Sequence, residues 1–135
     1  MLFTMKLNTY LSTLVCGGLL FALQASALAA APSVTLEETR TALEKSSTVV
    51  IDIREPGEHA TGVAKGALLI PMGQLEKRLG DVAKSKTQPL ILICNTQNRS
   101  SRLGDQLQAA GYTNISYVKG GMSQWAARGW PMVKP

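Results

Sequence analysis

Leu90-Ile91-Leu92-Ile93-Cys94-Asn95-Thr96-Gln97-Asn98-Arg99-Ser100 runs four consecutive aliphatic residues into a cysteine and follows the cysteine with a short polar stretch. A continuous apolar run of this length, bounded by loop residues, reads as a strand. Beyond it, Ser101 to Ala110 places Leu103, Leu107 and Ala110 on one helical face, and Gly111 stands where a left-handed cap ends such a helix. In open α/β sheets ligands bind beyond the carboxyl ends of the strands, and Cys94 falls at such an end.

The same alternation continues on both sides. Thr35 to Glu44 opens with a capping Thr, early acids and apolar residues at helical spacing, and predicts a helix. Thr48-Val49-Val50-Ile51-Asp52-Ile53 is β-branched and almost wholly apolar, as a buried parallel strand requires. Gly57, Gly62 and Gly66 mark turns around a short helix near Glu58 to Thr61, and Ala67 to Ile70 is a second short strand ended by Pro71. Gly73 to Val82 is helical, with Leu75, Leu79 and Val82 on one side; Ile115 to Val118 is a strand; Met122 to Ala127 is a short helix. Strands alternating with helices predict an α/β domain, a small, mainly parallel sheet with helices on both faces.

Chemistry concentrates at the loop. A helix N-terminus and a nearby guanidinium both stabilise a thiolate, and successive backbone N–H groups can turn inward around whatever the sulfur carries. Cys94 is thus the candidate nucleophile, with Asn95, Thr96, Gln97, Asn98 and Arg99 as the anion cradle and Ser100 as the cap of the following helix. Positive charge is disfavoured in a first helical turn, so Arg99 needs a partner: a bound anion, or a carboxylate such as Asp52 or Glu58. Asp52, followed by Arg54, is expected to be ionised and paired as structural support. His59, the only histidine, reads as a surface residue of a polar turn. Trp125 and Trp130 read as packing residues.

Composition narrows the function classes. One histidine and two cysteines, Cys16 and Cys94, supply no metal-ligand cluster, so neither a metal nor a cofactor is expected. The net charge of +5 comes from basic residues scattered without a long run, which speaks against nucleic acid and suits small anions. Lys6, the apolar run Leu11 to Leu23 and the Ala27-Leu28-Ala29 site have the order of a secretory signal peptide over residues 1–30, ahead of a domain over 34–135. An uncleaved anchor is the competing reading, but the tract ends in small residues with no positive charge beyond it. Val15 before Cys16 argues against lipidation. With the leader removed, Cys94 is the sole cysteine, which rules out an internal disulfide framework although the compartment is oxidising.

Two further stretches frame the loop. Ile51-Asp52-Ile53-Arg54-Glu55-Pro56-Gly57-Glu58 with Gly62 to Pro71 resembles the amino-terminal signature of rhodanese domains. Gly111-Tyr112-Thr113-Asn114-Ile115, Val118 to Met122, Trp125 and Gly129-Trp130-Pro131-Met132 resemble the carboxy-terminal one, and Cys94 to Arg99 is similar to the six-residue active loop. The resemblance implies a rhodanese-like three-layer domain and a thiosulfate sulfurtransferase. In such an enzyme Cys94 takes the outer sulfur of thiosulfate, releases sulfite, and passes the sulfur from a persulfide to cyanide or a thiol. Small exported rhodaneses of the phage-shock type, found in bacterial periplasms, match the length and the leader; size and the lack of an obvious apolar stripe point to a monomer, with small-molecule partners, no nucleic acid and no stable membrane association after cleavage. Gln97 stands where the family often has Gly, which predicts a different φ or opening there, and Val63 stands where His is frequent. Two rivals remain. Phosphatases and arsenate reductases of related fold place one more residue between cysteine and arginine, and a non-enzymatic binding module of this family commonly lacks the cysteine.

Overall fold

The computed structural model describes residues 29–135, so the leader expected over 1–30 falls almost wholly outside the described residues. Within them the order is β1 (Ser33–Val34), α1 (Leu36–Lys45), β2 (Val49–Asp52), α2 (Pro56–His59), β3 (Leu68–Leu69), α3 (Met72–Val82), β4 (Leu90–Ile93), α4 (Asn98–Ala109), β5 (Ile115–Val118) and α5 (Gly121–Ala127). The five strands form one sheet in the order β1-β5-β4-β2-β3, and every pairing is parallel. β1 was not expected: two residues carry no period, and the strand exists because Ser33 and Val34 align beside Tyr117 and Val118 of β5.

β4 lies at the centre, flanked by β2 and β5, and all four of its side chains are buried. Their alternation builds two cores. Leu90, Leu92 and Cys94 join Ile51 against Leu75 and Leu79 of α3 and Leu103 and Leu107 of α4. Ile91 and Ile93 join Val50 and Val118 against Leu36 and Ala42 of α1 and Met122 and Trp125 of α5. Each such buried aliphatic side chain contributes about 1.5–3 kcal/mol. The three-layer α/β arrangement expected from the alternating pattern is therefore what the chain forms, with a wholly parallel sheet.

Local signals explain the helices. The Thr35 hydroxyl accepts from Glu38 N–H at 3.1 Å while the Glu38 carboxylate accepts from Thr35 N–H at 2.7 Å, a reciprocal cap that starts α1. Gly111, at φ +95°, closes α4 in the left-handed conformation that a side chain disfavours. Trp125 is buried and meets the edge of Trp130 at a centroid separation of 4.9 Å, the packing role expected of both.

Candidate active site

Cys94 follows β4 directly, 1% exposed, with its sulfur on the α3/α4 side of the sheet. Its carbonyl goes to the other side. Cys94 C=O accepts from Met122 N–H and Asn95 C=O from Ser123 N–H, both at 2.8 Å, so the first turn of α5 binds the outer edge of the loop. Thr96 C=O also faces Gly121. In a trans peptide the C=O and N–H point in opposite directions, and none of the described peptides is cis. The amides of Asn95, Thr96 and Gln97 are consequently turned to the inner side, and among the described residues no backbone carbonyl accepts from them. Free amides directed inward make an anion-binding concavity.

Gly121 makes this possible. It sits at φ +59°, and a Cβ there would lie 2.5 Å from the Cys94 carbonyl oxygen and 2.6 Å from that of Asn95. Gly121 was not singled out for the site from sequence. Two adjacent glycines between a strand and a helix were the available signal, since such pairs mark close backbone approach.

α4 begins at Asn98 with Gln97 as its cap residue, so Ser100 lies inside the first turn and does not cap the helix as expected. The polar loop is tighter than its composition suggests, and the helix takes up Asn98 and Arg99 first. Ser100 is fully buried; its hydroxyl lies 3.3 Å from Cys94 Sγ and donates to Gln97 C=O at 3.1 Å. When the sulfur is a thiol, S–H donates to the hydroxyl. When it is a thiolate, the hydroxyl proton turns to the sulfur, which also faces the positive end of a 12-residue helix.

Arg99 binds Glu58 through both terminal nitrogens, Nη1 to Oε2 at 2.8 Å and Nη2 to Oε1 at 2.6 Å. Of the two carboxylates considered for it, Glu58 is the one the fold brings to Arg99. The hydrogen bonds from Arg99 outweigh partial burial and, with an N–H from Glu55, hold the Glu58 carboxyl down at about 2. Arg99 is shifted the other way, held more firmly protonated chiefly by Glu58 against the effect of burial, with Cys94 adding to it. Asn95, Thr96 and Asn98 are exposed on the loop, and Gln97 is half-buried.

Asp52 and Arg54 form a separate pair beneath α2. Asp52 accepts from Arg54 Nη2 at 2.7 Å and from Nε at 3.0 Å, and Arg54 also donates to Gly62 C=O at 2.9 Å. They are thus paired as expected, and Arg54 Nη1 also donates to the backbone carbonyl of Glu58 at 3.4 Å. His59 overturns its expected surface placement: it is 5% exposed, with Nε2 3.3 Å from both the Asp52 carbonyl and carboxylate oxygens. Both neighbours are acceptors, so Nε2 carries the proton. The one-turn α2 lies on the carboxyl end of β2, which drives its last residue inward.

Residues 35–128 match the rhodanese-like domain family. The chain belongs to that family. It is 35% identical over 96 residues to the Bacillus subtilis protein YqhL, covering 71% of this chain and 73% of that one. It is 27% identical over 110 residues to the human thiosulfate:glutathione sulfurtransferase, covering 73% of this chain and 96% of the relative. Among solved structures it is similar to the human single-domain sulfurtransferase TSTD1, with a TM-score of 0.62 and 25% identity over 73% of this chain and 97% of the other.

Within this rhodanese-like domain Gln97 has a definite place. Its φ of −164° lies outside the left-handed region that favours glycine, so the loop needs no positive-φ glycine there. Its side-chain oxygen accepts from Gly120 N–H at 3.1 Å, a third tie between the loop and the start of α5.

Proposed function

We propose that this protein is a thiosulfate sulfurtransferase that carries the sulfur as a persulfide on Cys94. The observation that carries the reading is the orientation of the loop: α5 binds the carbonyls of Cys94 and Asn95 and Thr96 C=O faces Gly121, which turns the amides of Asn95, Thr96 and Gln97 away from α5, toward the side of the sheet that holds the sulfur. Free N–H groups aimed where negative charge accumulates stabilise it without reorganisation. The sulfurtransferases among its relatives support the same class of reaction.

In the first step the Cys94 thiolate attacks the outer sulfur of thiosulfate. A new S–S bond forms, the bond to the sulfonate sulfur breaks, and sulfite leaves with its electron pair, so the enzyme holds Cys94–S–S⁻. In the second step a thiolate or cyanide attacks the terminal sulfur, the Cys94 S–S bond breaks, and the thiolate is restored with an organic persulfide or thiocyanate as product. Arg99 faces the anionic end of the donor, and Ser100 donates to the thiolate that is consumed and regenerated. With the thiol almost enclosed, the donor must present its sulfur end-on. Double displacement at a stabilised thiolate requires no general base, metal or cofactor.

The protein with residues 1–30 removed is expected to gain one sulfur on incubation with thiosulfate, read by intact mass, and to lose it to cyanide as thiocyanate. Cys94→Ser is expected to do neither; a variant that still forms thiocyanate would remove Cys94 as the nucleophile. The leader belongs to the proposal too: Lys6, the apolar run and Ala27-Leu28-Ala29 support export, cleavage and action in the periplasm, and the small size of the domain supports a monomer. Amino-terminal sequencing of the protein recovered from a periplasmic fraction, with its elution volume on a sizing column, tests both points.

A further inference from the structure

Arg99, in the first turn of α4, is not an open anion clamp. Both of its terminal nitrogens are taken by Glu58, at 2.8 and 2.6 Å. The carboxylate is itself anchored. Its Oε2 also accepts from Glu55 N–H at 2.9 Å as part of the cap of α2, and α2 is tethered through Arg54 to Gly62 C=O. The cap keeps the Glu58 carboxylate in place even when Arg99 exchanges it for water or another anion. A donor that approaches Cys94 meets a guanidinium whose charge is already compensated, with a fixed negative charge beside it.

Donors differ in what this costs them. Thiosulfate brings two negative charges, one group of them at the end that must face Arg99. An organic persulfide, R–S–S⁻ or its protonated form, brings one charge or none. We infer that Glu58 is a selectivity residue, which disfavours dianionic thiosulfate relative to organic persulfides as donors to Cys94. The inference rests on the sulfurtransferase reading. With a protonated persulfide the step balances as before: the Cys94 thiolate attacks the terminal sulfur, the donor S–S bond breaks, and the leaving thiolate takes the proton that the terminal sulfur gives up. Glu58 titrates far below neutrality, so it keeps its charge through the working range of such an assay.

The experiment compares single-turnover sulfur loading of Cys94, by intact mass, from thiosulfate and from the persulfide of 2-mercaptoethanol, in the wild type, Glu58→Gln and Glu58→Asp. Glutamine retains the shape and the capping acceptor and removes the charge. The expected result for Glu58→Gln is a rise of about tenfold in loading efficiency from thiosulfate relative to the persulfide, through a lower half-saturating thiosulfate concentration. The shift is expected to shrink as salt is added, which a merely structural change would not do. Glu58→Asp keeps the charge and is expected to keep the wild-type preference. A wild type that loads while the donor ratio is the same in all three proteins overturns the role of Glu58 alone. A wild type that loads from neither donor overturns the sulfurtransferase reading and this inference with it.

Discussion

Asp52–Arg54 and Glu58–Arg99 join the same two functional groups, yet the side chains of the first pair are 0% and 4% exposed and those of the second 34% and 36%. In the first, the guanidinium is surrounded: Asp52 takes Nε and Nη2, and Gly62 C=O takes Nη2 as well. In the second, the fork stands at the mouth of the Cys94 loop, and each group keeps a solvent-facing side. Burial makes an ion pair expensive to break, because whichever charge is left has no water to turn to. Exposure makes it exchangeable, since water and other ions compete for both partners. The buried pair therefore sets the position of α2, and the exposed pair, which α2 carries, is the one proposed to meet the sulfur donor.

Asp52→Ala breaks this comparison at its strong end. It leaves the Arg54 guanidinium, 3% exposed, with backbone carbonyls only. The expected loss is about 3–5 kcal/mol of unfolding free energy, read from urea denaturation at neutral pH. His59 loses its carboxylate neighbour in the same change. A loss below about 1 kcal/mol would mean that the buried pair holds no more than a surface one.

Arg99→Ala probes the exposed pair and is expected to divide stability from activity. Its unfolding free energy should fall by about 1 kcal/mol or less, because the pair is solvated. Loading of Cys94 from thiosulfate should fall by about ten- to a hundredfold, since the donor loses a charged hydrogen-bonding partner and faces an uncompensated Glu58. Adding Glu58→Gln to Arg99→Ala should restore part of the loading, which a double-mutant cycle measures directly. Equal loading rates in wild type and Arg99→Ala would remove Arg99 from anion binding.

The sequence displays the two pairs unequally, for physical reasons. β2 and β4 were legible because their short aliphatic runs are buried on both faces, and Cys94 was legible because it ends such a run and is followed by four polar residues. Asp52 beside Arg54 in an apolar stretch announces a buried pair by the cost of burying either alone. Glu58–Arg99 spans 41 positions, and nothing local distinguishes Glu58 from Asp52 as the partner of Arg99. His59 was misplaced because a four-residue helix has no period to show which side faces inward. Ser100 was assigned to the cap because hydroxyl residues favour that position, whereas the loop geometry starts α4 at Asn98 and turns the hydroxyl toward the sulfur.

The smallest effect expected is also the one that isolates the charge. Glu58 ionises near 2 in the folded protein against an ordinary value of 4.5, so the folded state holds its carboxylate in the charged form more firmly than the unfolded chain does. A carboxyl whose folded value is depressed contributes stability that is complete above its unfolded value and disappears as pH falls through its folded one. The contribution should hence be full at neutral pH and decline between about 4.5 and about 2. Its size is limited by solvent around a pair that is one-third exposed, to about 1 kcal/mol or less. Urea midpoints of the wild type and Glu58→Gln should differ at pH 7 in low salt, and the gap should narrow at pH 3 or on addition of salt. Glutamine keeps the capping acceptor, so a gap insensitive to both would assign the role of Glu58 to the cap of α2 and leave Arg99 without an ionic partner of consequence.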